Sequence, residues 1–213
     1  ILFAPTHTAV DNLQKEGIVD SPRHFRNGKG QRVVQSGDVM YDNSMYFAEM
    51  AEQKSDILQR LNLAKGQFVL ATIHRPQNTD SEVNLSNIFR ALADIADHEQ
   101  TKIVVPLHPR TRKLLPEKLS PELLTRIQQN ANIVLTEPAG FFDIICLEKF
   151  ASIVMTDSGG VQKEAFFFAT PTVILRPETE WVEIVKADPF NAFNFRDLSA
   201  KFGKTSFAVK IRP

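Results

Sequence analysis

Ile153-Val-Met-Thr-Asp-Ser-Gly-Gly-Val-Gln-Lys-Glu-Ala165 is the stretch on which the reading of the fold turns. The apolar run 153–155 predicts a buried parallel strand. Thr156, Asp157 and Ser158 then supply a polar turn, Gly159 and Gly160 strip it of side chains, and 161–168 predicts a helix. A strand, a glycine turn and a helix in that order leave unpaired backbone N–H groups at a helix start. Such a start attracts anions, and glycines let a phosphate come close to the main chain. Glu164 falls in the second turn of the helix, where its carboxylate could accept hydrogen bonds from a pair of sugar hydroxyls. A second reading fits the same residues, because Asp or Ser before a helix is a common cap that needs no ligand. The stretch by itself leaves both open.

Working outward, the same pattern recurs. Residues 68–73 predict a buried strand leading into the polar loop His74-Arg75-Pro76-Gln77-Asn78-Thr79-Asp80. A helix follows over 83–96, with Leu85, Ile88, Phe89, Leu92 and Ile95 at three-four spacing. The strand 102–106 meets His108-Pro109-Arg110, and helical residues 121–129 precede a strand at 132–135. A helix over 141–150 leads back to the opening stretch, and a last strand, 172–175, enters Arg176-Pro177. Strands alternating with helices over 68–187 predict an α/β fold, a doubly wound parallel sheet. Each polar cluster falls just after a strand, at the carboxyl ends where open parallel sheets bind ligands. That repetition favours a site over a string of caps.

The flanks are less regular. Residues 1–4 read as a short strand, with Thr6 or Thr8 capping a helix over 9–16 that Gly17 closes. Residues 20–32 read as a loop and 32–35 as a strand, after which Asp42 or Asn43 opens one long helix to about Leu61. Beyond Asp188 neither period holds, and three phenylalanines within six residues predict an irregular tail.

Composition narrows the function classes. The 213 residues are 43% hydrophobic and 23% charged, an ordinary globular balance. Lys plus Arg and Asp plus Glu each total 25, so net charge gives no reason to expect nucleic acid or an anionic membrane. No apolar run reaches bilayer-spanning length. Cys146 stands alone in an apolar run and reads as a buried, reduced thiol of a cytoplasmic protein. Metal ligation lacks support, with one Cys and no His pair at i and i+4. The start at Ile1 has neither an initiator Met nor a basic leader, which reads as the interior of a longer protein.

The polar clusters each carry two readings. His74 and Arg75 could reach an anion or a leaving group. They could equally be loop residues held by neighbouring backbone. His108-Pro109-Arg110 reads more strongly as a proline-set turn. Arg176 with Glu178, Thr179 and Glu180 could be a solvated loop, with Trp181 packed beneath it, and Phe166 to Phe168 are most simply core.

Taken together, the segments resemble the non-hydrolysing UDP-N-acetylglucosamine 2-epimerases. The matching residues are Ala4-Pro-Thr6 with Asn12-Leu13 and Glu16-Gly17; Gly37-Asp-Val-Met-Tyr-Asp42; and Ala71-Thr-Ile-His-Arg75 with Asn78 and Asp80. His108-Pro109, Thr156-Asp-Ser-Gly-Gly-Val-Gln162 with Glu164-Ala165, and Arg176 with Thr179-Glu-Trp181 complete the set over about residues 1–187. The resemblance implies one half of a glycosyltransferase-B-like fold of two Rossmann-like domains. Residues 1–37 would end the first domain, 38–187 would form the nucleotide-binding domain, and 188–213 an irregular tail.

What the resemblance implies for chemistry is elimination of UDP from the sugar, followed by its re-addition. His74 would be catalytic, contacting the diphosphate and helping UDP leave. Ser158, Gly159 and Gly160 would hold the phosphates, Glu164 the ribose hydroxyls, and Arg75 and Arg176 would complete the nucleotide site. The family's catalytic carboxylates lie ahead of Ile1, and no residue of this chain is offered in their place. The partner implied is a UDP-sugar, with no metal or cofactor, no nucleic acid and no membrane, in a whole protein that is a cytoplasmic homodimer. The loop departs from many members in reading Pro76-Gln77 where they carry a charged pair. A glycosyltransferase of the same fold and a non-catalytic nucleotide-binding remnant are the competing functions. His74-Arg75 with Arg176 and Thr179-Glu180 favours the epimerase.

Overall fold

A computed structural model describes residues 1–26, 28, 30–187 and 192–194. The chain divides into two compact units, Ile1–Tyr46 and the rest from Phe47 onward.

In the first unit, β1 (Leu2–Ala4) pairs in parallel with a later strand, which needs a crossover between them. The crossover contains α1 (His7–Lys15) and α2 (Pro22–Arg26), and it ends in the partner strand β2 (Val33–Gln35). Of the two candidate caps for α1, Thr6 is the one used: its hydroxyl accepts from the Ala9 N–H at 3.2 Å. Gly17 follows the helix with φ +80°, a left-handed turn that glycine adopts without strain. The region expected to be all loop contains α2, and Asp20 anchors its return by accepting from Arg32 Nε at 2.7 Å and from the Val33 N–H at 3.0 Å.

The single long helix expected from 42 to 61 is two. α3 (Val39–Lys54) starts earlier, because Asp38 Oδ1 accepts from the Met40 N–H at 3.0 Å and opens it. α4 (Ile57–Arg60) is separate, because Ser55 turns its hydroxyl to Asp143 at 2.5 Å and accepts from the Ile57 N–H at 3.2 Å. A serine bonded this way offers the backbone an alternative to continuing the helix. The division between the two units falls inside α3.

The second unit alternates strand and helix as expected. β3 (Phe68–Thr72) leads through the short α5 (Pro76–Thr79) and α6 (Glu82–Glu99) to β4 (Lys102–Pro106). α7 (Pro109–Lys118) and α8 (Pro121–Gln129) precede β5 (Ile133–Thr136), and α9 (Phe141–Phe150) leads to β6 (Ile153–Thr156). α10 (Gly159–Phe167), β7 (Thr172–Ile174), α11 (Val182–Ala187) and β8 (Ala192–Asn194) complete it. The helix α7 was not foreseen. Its prolines suggested a turn, but Pro109 occupies the first helical turn, where its missing N–H is not needed. β8 pairs in parallel with β7 where an irregular tail was expected; residues 188–191 and 195–213 of that tail lie outside the described residues.

All strand pairs are parallel, in the order β5-β4-β3-β6-β7-β8. The sheet grows one way from β3 through β4 to β5, then reverses and grows the other way from β6. Between β3 and β6 the connections depart to opposite sides, and an open sheet of this order leaves a crevice there at the carboxyl edge. Both faces are covered, which explains the uninterrupted apolar runs. Val69, Ala71, Ile103, Val105 and Met155 pack with Leu85, Phe89 and Leu92 of α6 on one face. The alternate residues Phe68, Leu70, Val104 and Val154 pack with Ile145 and Leu147 of α9 and Ala165 of α10 on the other.

One carboxyl group is out of keeping with that second core. Glu148 of α9 is fully buried, and neither of its side-chain oxygens has a partner among the described residues. Burial, reinforced by the charge of Glu164, pushes its pKa well above the usual carboxylate range. The folded chain therefore keeps this proton where the unfolded chain has released it. The corresponding stability is intact below the unfolded value of about 4.3 and is lost as pH rises from there toward the folded pKa. Within that window each pH unit costs about 1.4 kcal/mol. Glu148→Gln removes the ionisation, so in urea unfolding its stability relative to the parent chain should be higher at pH 8 than at pH 5. Parallel pH profiles for the two proteins would show that Glu148 does not hold a proton in the fold.

Candidate functional site

The carboxyl ends of β3, β6 and β7 are tied together by two side chains, Asp157 and Asn78. Asp157, the first residue after β6, is 0% exposed. Its Oδ1 accepts from the His74 N–H at 3.1 Å, and its Oδ2 accepts from the Arg75 N–H at 3.0 Å and from Asn78 Nδ2 at 2.9 Å. Asn78 Nδ2 also donates to the Leu175 carbonyl at 2.9 Å, which brings in the end of β7. Beneath this, the buried hydroxyls of Thr72 and Thr156 share a hydrogen bond of 2.6 Å across the two central strands. The His74 ring lies with Nδ1 3.5 Å from Asp157 Oδ1 and is 41% exposed, so one edge faces the carboxylate while the rest stays accessible. Sequence reasoning treated Asp157 only as part of a turn. The signal present was an acidic residue directly after a buried strand; its donors, some eighty residues earlier, could not be read from local pattern.

Ser158 caps α10: its hydroxyl accepts from the Val161 N–H at 3.4 Å, and its own N–H donates to Thr156 Oγ1 at 2.9 Å. The cap reading is therefore correct for the hydroxyl. It does not use the N–H groups of Gly159 and Gly160, which have no acceptor within the helix. Neither glycine has a positive φ, so conformation does not require them. A Cβ at Gly159 would displace the carboxylate of Glu180, the movable end of its side chain, and come within 3.2 Å of Trp181 Nε1.

The segment after β7 is not a solvated loop. Trp181 Nε1 donates to the Gly159 carbonyl at 2.8 Å, Thr179 Oγ1 donates to Gln162 Oε1 at 2.7 Å, and the Lys163 ammonium sits 4.0 Å from the centre of the Trp181 ring system. Arg176 forms a hydrogen-bonded ion pair with Glu180, and Arg75 Nη2 lies 3.8 Å from the same carboxylate. The Arg176 side chain is 12% exposed, and its buried Nε has no acceptor among the described residues.

The structure thus gathers His74, Arg75, Ser158, Gly159, Gly160 and Arg176 at one edge. Glu164 lies one turn further along α10, where burial raises the pKa of its carboxyl. His108 stands at the end of the neighbouring β4, but it acts as a cap: its Nδ1 accepts from the Arg110 N–H at 3.3 Å, and Arg110 is paired with Asp80 at 2.5 Å. Two guanidinium groups, an imidazole and a helix N-terminus make an edge suited to a doubly charged anion such as a diphosphate. Among the described residues there is no group of three or more His, Cys, Asp and Glu placed to hold a metal ion.

The family described as UDP-N-acetylglucosamine 2-epimerase has a model that matches residues 1–191. A UDP-N-acetylglucosamine 2-epimerase homolog of Methanococcus maripaludis is 44% identical over 87% of this chain and 47% of its own length. The UDP-2,3-diacetamido-2,3-dideoxy-D-glucuronate 2-epimerase of Pseudomonas aeruginosa is 40% identical over 87% of this chain and 46% of its own. The solved structure of the Methanocaldococcus jannaschii UDP-GlcNAc 2-epimerase in complex with UDP-GlcNAc and UDP superposes with a TM-score of 0.75 at 32% identity, covering 91% of this chain and 49% of that one. The chain spans about half the length of the curated relatives it matches.

Because Asp157 accepts from several donors at once, Asp157→Asn should disturb the edge before it disturbs the sheet. An amide at that position presents a donor to donors, and each buried group left unpaired costs about 1–3 kcal/mol. Hydrogen exchange should accelerate at the His74 and Arg75 amides while the amides of β3 stay protected. Unchanged exchange at both amides would show that the carboxylate does not hold the loop.

Proposed function

This chain belongs to the UDP-N-acetylglucosamine 2-epimerase family, and we propose that it is the UDP-binding half of an enzyme that interconverts UDP-GlcNAc and UDP-ManNAc. The observation that supports the reading most is the convergence of His74, the Ser158 turn and Arg176 at the point where the sheet reverses direction. The N–H groups of Gly159 and Gly160 bind the phosphates beside the Ser158 cap, with Arg75 and Arg176 countering their charge. Glu164 takes the ribose hydroxyls. His74 is catalytic: its ring, steadied by Asp157, donates to the diphosphate and stabilises the charge that builds on it as the sugar's C1–O bond breaks. Elimination also requires a proton to be removed from C2 and later returned to the opposite face. The resemblance assigns that work to carboxylates ahead of residue 1.

Family membership and the same resemblance support the remaining assignments. Residues 1–37 end a first domain, 38–187 hold the nucleotide, and the whole protein is a cytoplasmic homodimer. Among the described residues no helix is long and apolar enough to cross a membrane. A second substrate reading has its own support in the 40% identity to an epimerase of a diacetamido-glucuronate. The chemistry at C2 and the UDP half of the substrate are common to both. They differ in sugar substituents distant from the nucleotide.

Two outcomes are expected. The 213-residue chain should bind UDP in calorimetry yet leave UDP-GlcNAc unconverted, since each missing acid–base group forfeits a factor of about 10²–10⁴. Conversion at an ordinary enzymatic rate by this chain alone would mean that the proton-transfer groups lie within it. In the whole protein, His74→Ala should lower kcat by about 10²–10⁴ while changing UDP affinity far less. A loss confined to KM would make His74 a binding residue only. Assaying the whole protein with UDP-GlcNAc and with the diacetamido-glucuronate separates the two substrates.

A further inference from the structure

We propose that the Glu180 carboxylate is a built-in competitor of the nucleotide, occupying the diphosphate's place until binding displaces it. The inference rests on the reading of this edge as a diphosphate site and adds to it a residue that sets affinity. Three observations place an anion here already. The carboxylate lies against Gly159, in the volume that a Cβ would fill at the start of α10. It is paired with Arg176, and Arg75 approaches it to 3.8 Å. Helix start and both arginines, the groups expected to hold phosphate oxygens, therefore converge on one internal carboxylate.

The surroundings let this anion leave. The backbone of its segment is fixed independently of the carboxylate, by Thr179 on Gln162 and by Trp181 on the Gly159 carbonyl. The Glu180 side chain itself is 45% exposed and can rotate to solvent about its own bonds. Arg176 keeps a buried Nε with no acceptor among the described residues, so it has donor capacity beyond what Glu180 uses. Burial tends to raise the Glu180 pKa, but its own backbone N–H, the Arg176 hydrogen bond and the charges of Arg176 and Arg75 outweigh that and lower it. The competitor is accordingly a charged one. Exchange of Glu180 for a diphosphate leaves the two guanidinium groups paired in both states, and the affinity for UDP is reduced by whatever the internal pair is worth. Such a reduction would ease release of the UDP-sugar product at the end of a catalytic cycle and keep smaller anions from resting in the site.

Calorimetry of UDP and of uridine with the 213-residue chain and with Glu180→Gln tests this. The substitution keeps the shape and removes the charge. An exposed ion pair and a helix-start contact together are worth enough to tighten UDP binding roughly three- to tenfold, while uridine binding should not change. Glu180→Ala should tighten UDP in the same direction, which covers the case of Gln failing to fold. Adding inorganic pyrophosphate to the wild-type chain should also shift the Glu180 side-chain carboxyl resonance together with the Gly159 amide. Unchanged or weaker UDP binding by the variants, with wild type binding UDP, overturns the inference and leaves the site standing. UDP binding by none of the proteins overturns both.

Discussion

The site depends on a buried carboxylate whose hydrogen bonds come from backbone and amide donors, with one edge of the His74 ring beside it. A group as costly to bury as Asp157 is tolerated only where hydrogen bonds replace its hydration. Here the replacements come from His74, Arg75 and Asn78, so the loop after β3 is closed onto the end of β6. Asn78 then passes the constraint to the end of β7 through the Leu175 carbonyl. Three of the loops at the carboxyl edge have their relative positions set by two side chains, and neither of those side chains is available to a ligand. This arrangement separates the work of holding the site from the work of binding. His74 can present its ring outward because its N–H is engaged, and Arg75 can swing its guanidinium because its backbone is fixed.

The sheet was legible because burial on both faces writes a plain signal. Phe68–Thr72 and Ile153–Thr156 are buried throughout, and such runs bounded by polar turns have few other readings. The positions of His74, Ser158 and Arg176 follow from that reading alone, since each is the polar residue at a strand's end. Local chemistry misled in two places. Pro109 looked like a turn but starts α7, and a serine ended a helix whose apolar pattern continued past it. Both depend on which hydrogen bond a side chain finds, and periodicity does not carry that information. The donors of Asp157 went unread for a related reason: they lie some eighty residues earlier in the sequence, and its identity as an acid gave no hint of which donors it would meet.

The two readings of the Ser158-Gly159-Gly160 turn also turn out not to compete. A hydroxyl cap and an anion site would exclude each other only if they drew on the same N–H groups. Ser158 takes the Val161 N–H, deeper in the helix, and leaves the first N–H groups of α10 outside its reach. Capping therefore fixes the helix start without filling it. Neither glycine has the positive φ that would demand glycine for its conformation, and at Gly159 a side chain would enter the place of the Glu180 carboxylate.

The place of that carboxylate has a consequence for how substitutions at Gly159 must be read. A side chain placed there meets Glu180 and Trp181 before it meets any ligand. Gly159→Val would displace the Glu180 carboxylate from its place beside Arg176 and crowd the indole that bonds the Gly159 carbonyl. A change of nucleotide affinity in that variant would thus mix steric exclusion of phosphate with disturbance of the Glu180 and Trp181 contacts. Substitution at Glu180 avoids the ambiguity, because the backbone of its segment is held by Thr179 and Trp181 whatever stands at position 180. Side chains that hold the edge together and side chains that answer to charge are different residues here, so the electrostatics of the site can be altered while its geometry is kept.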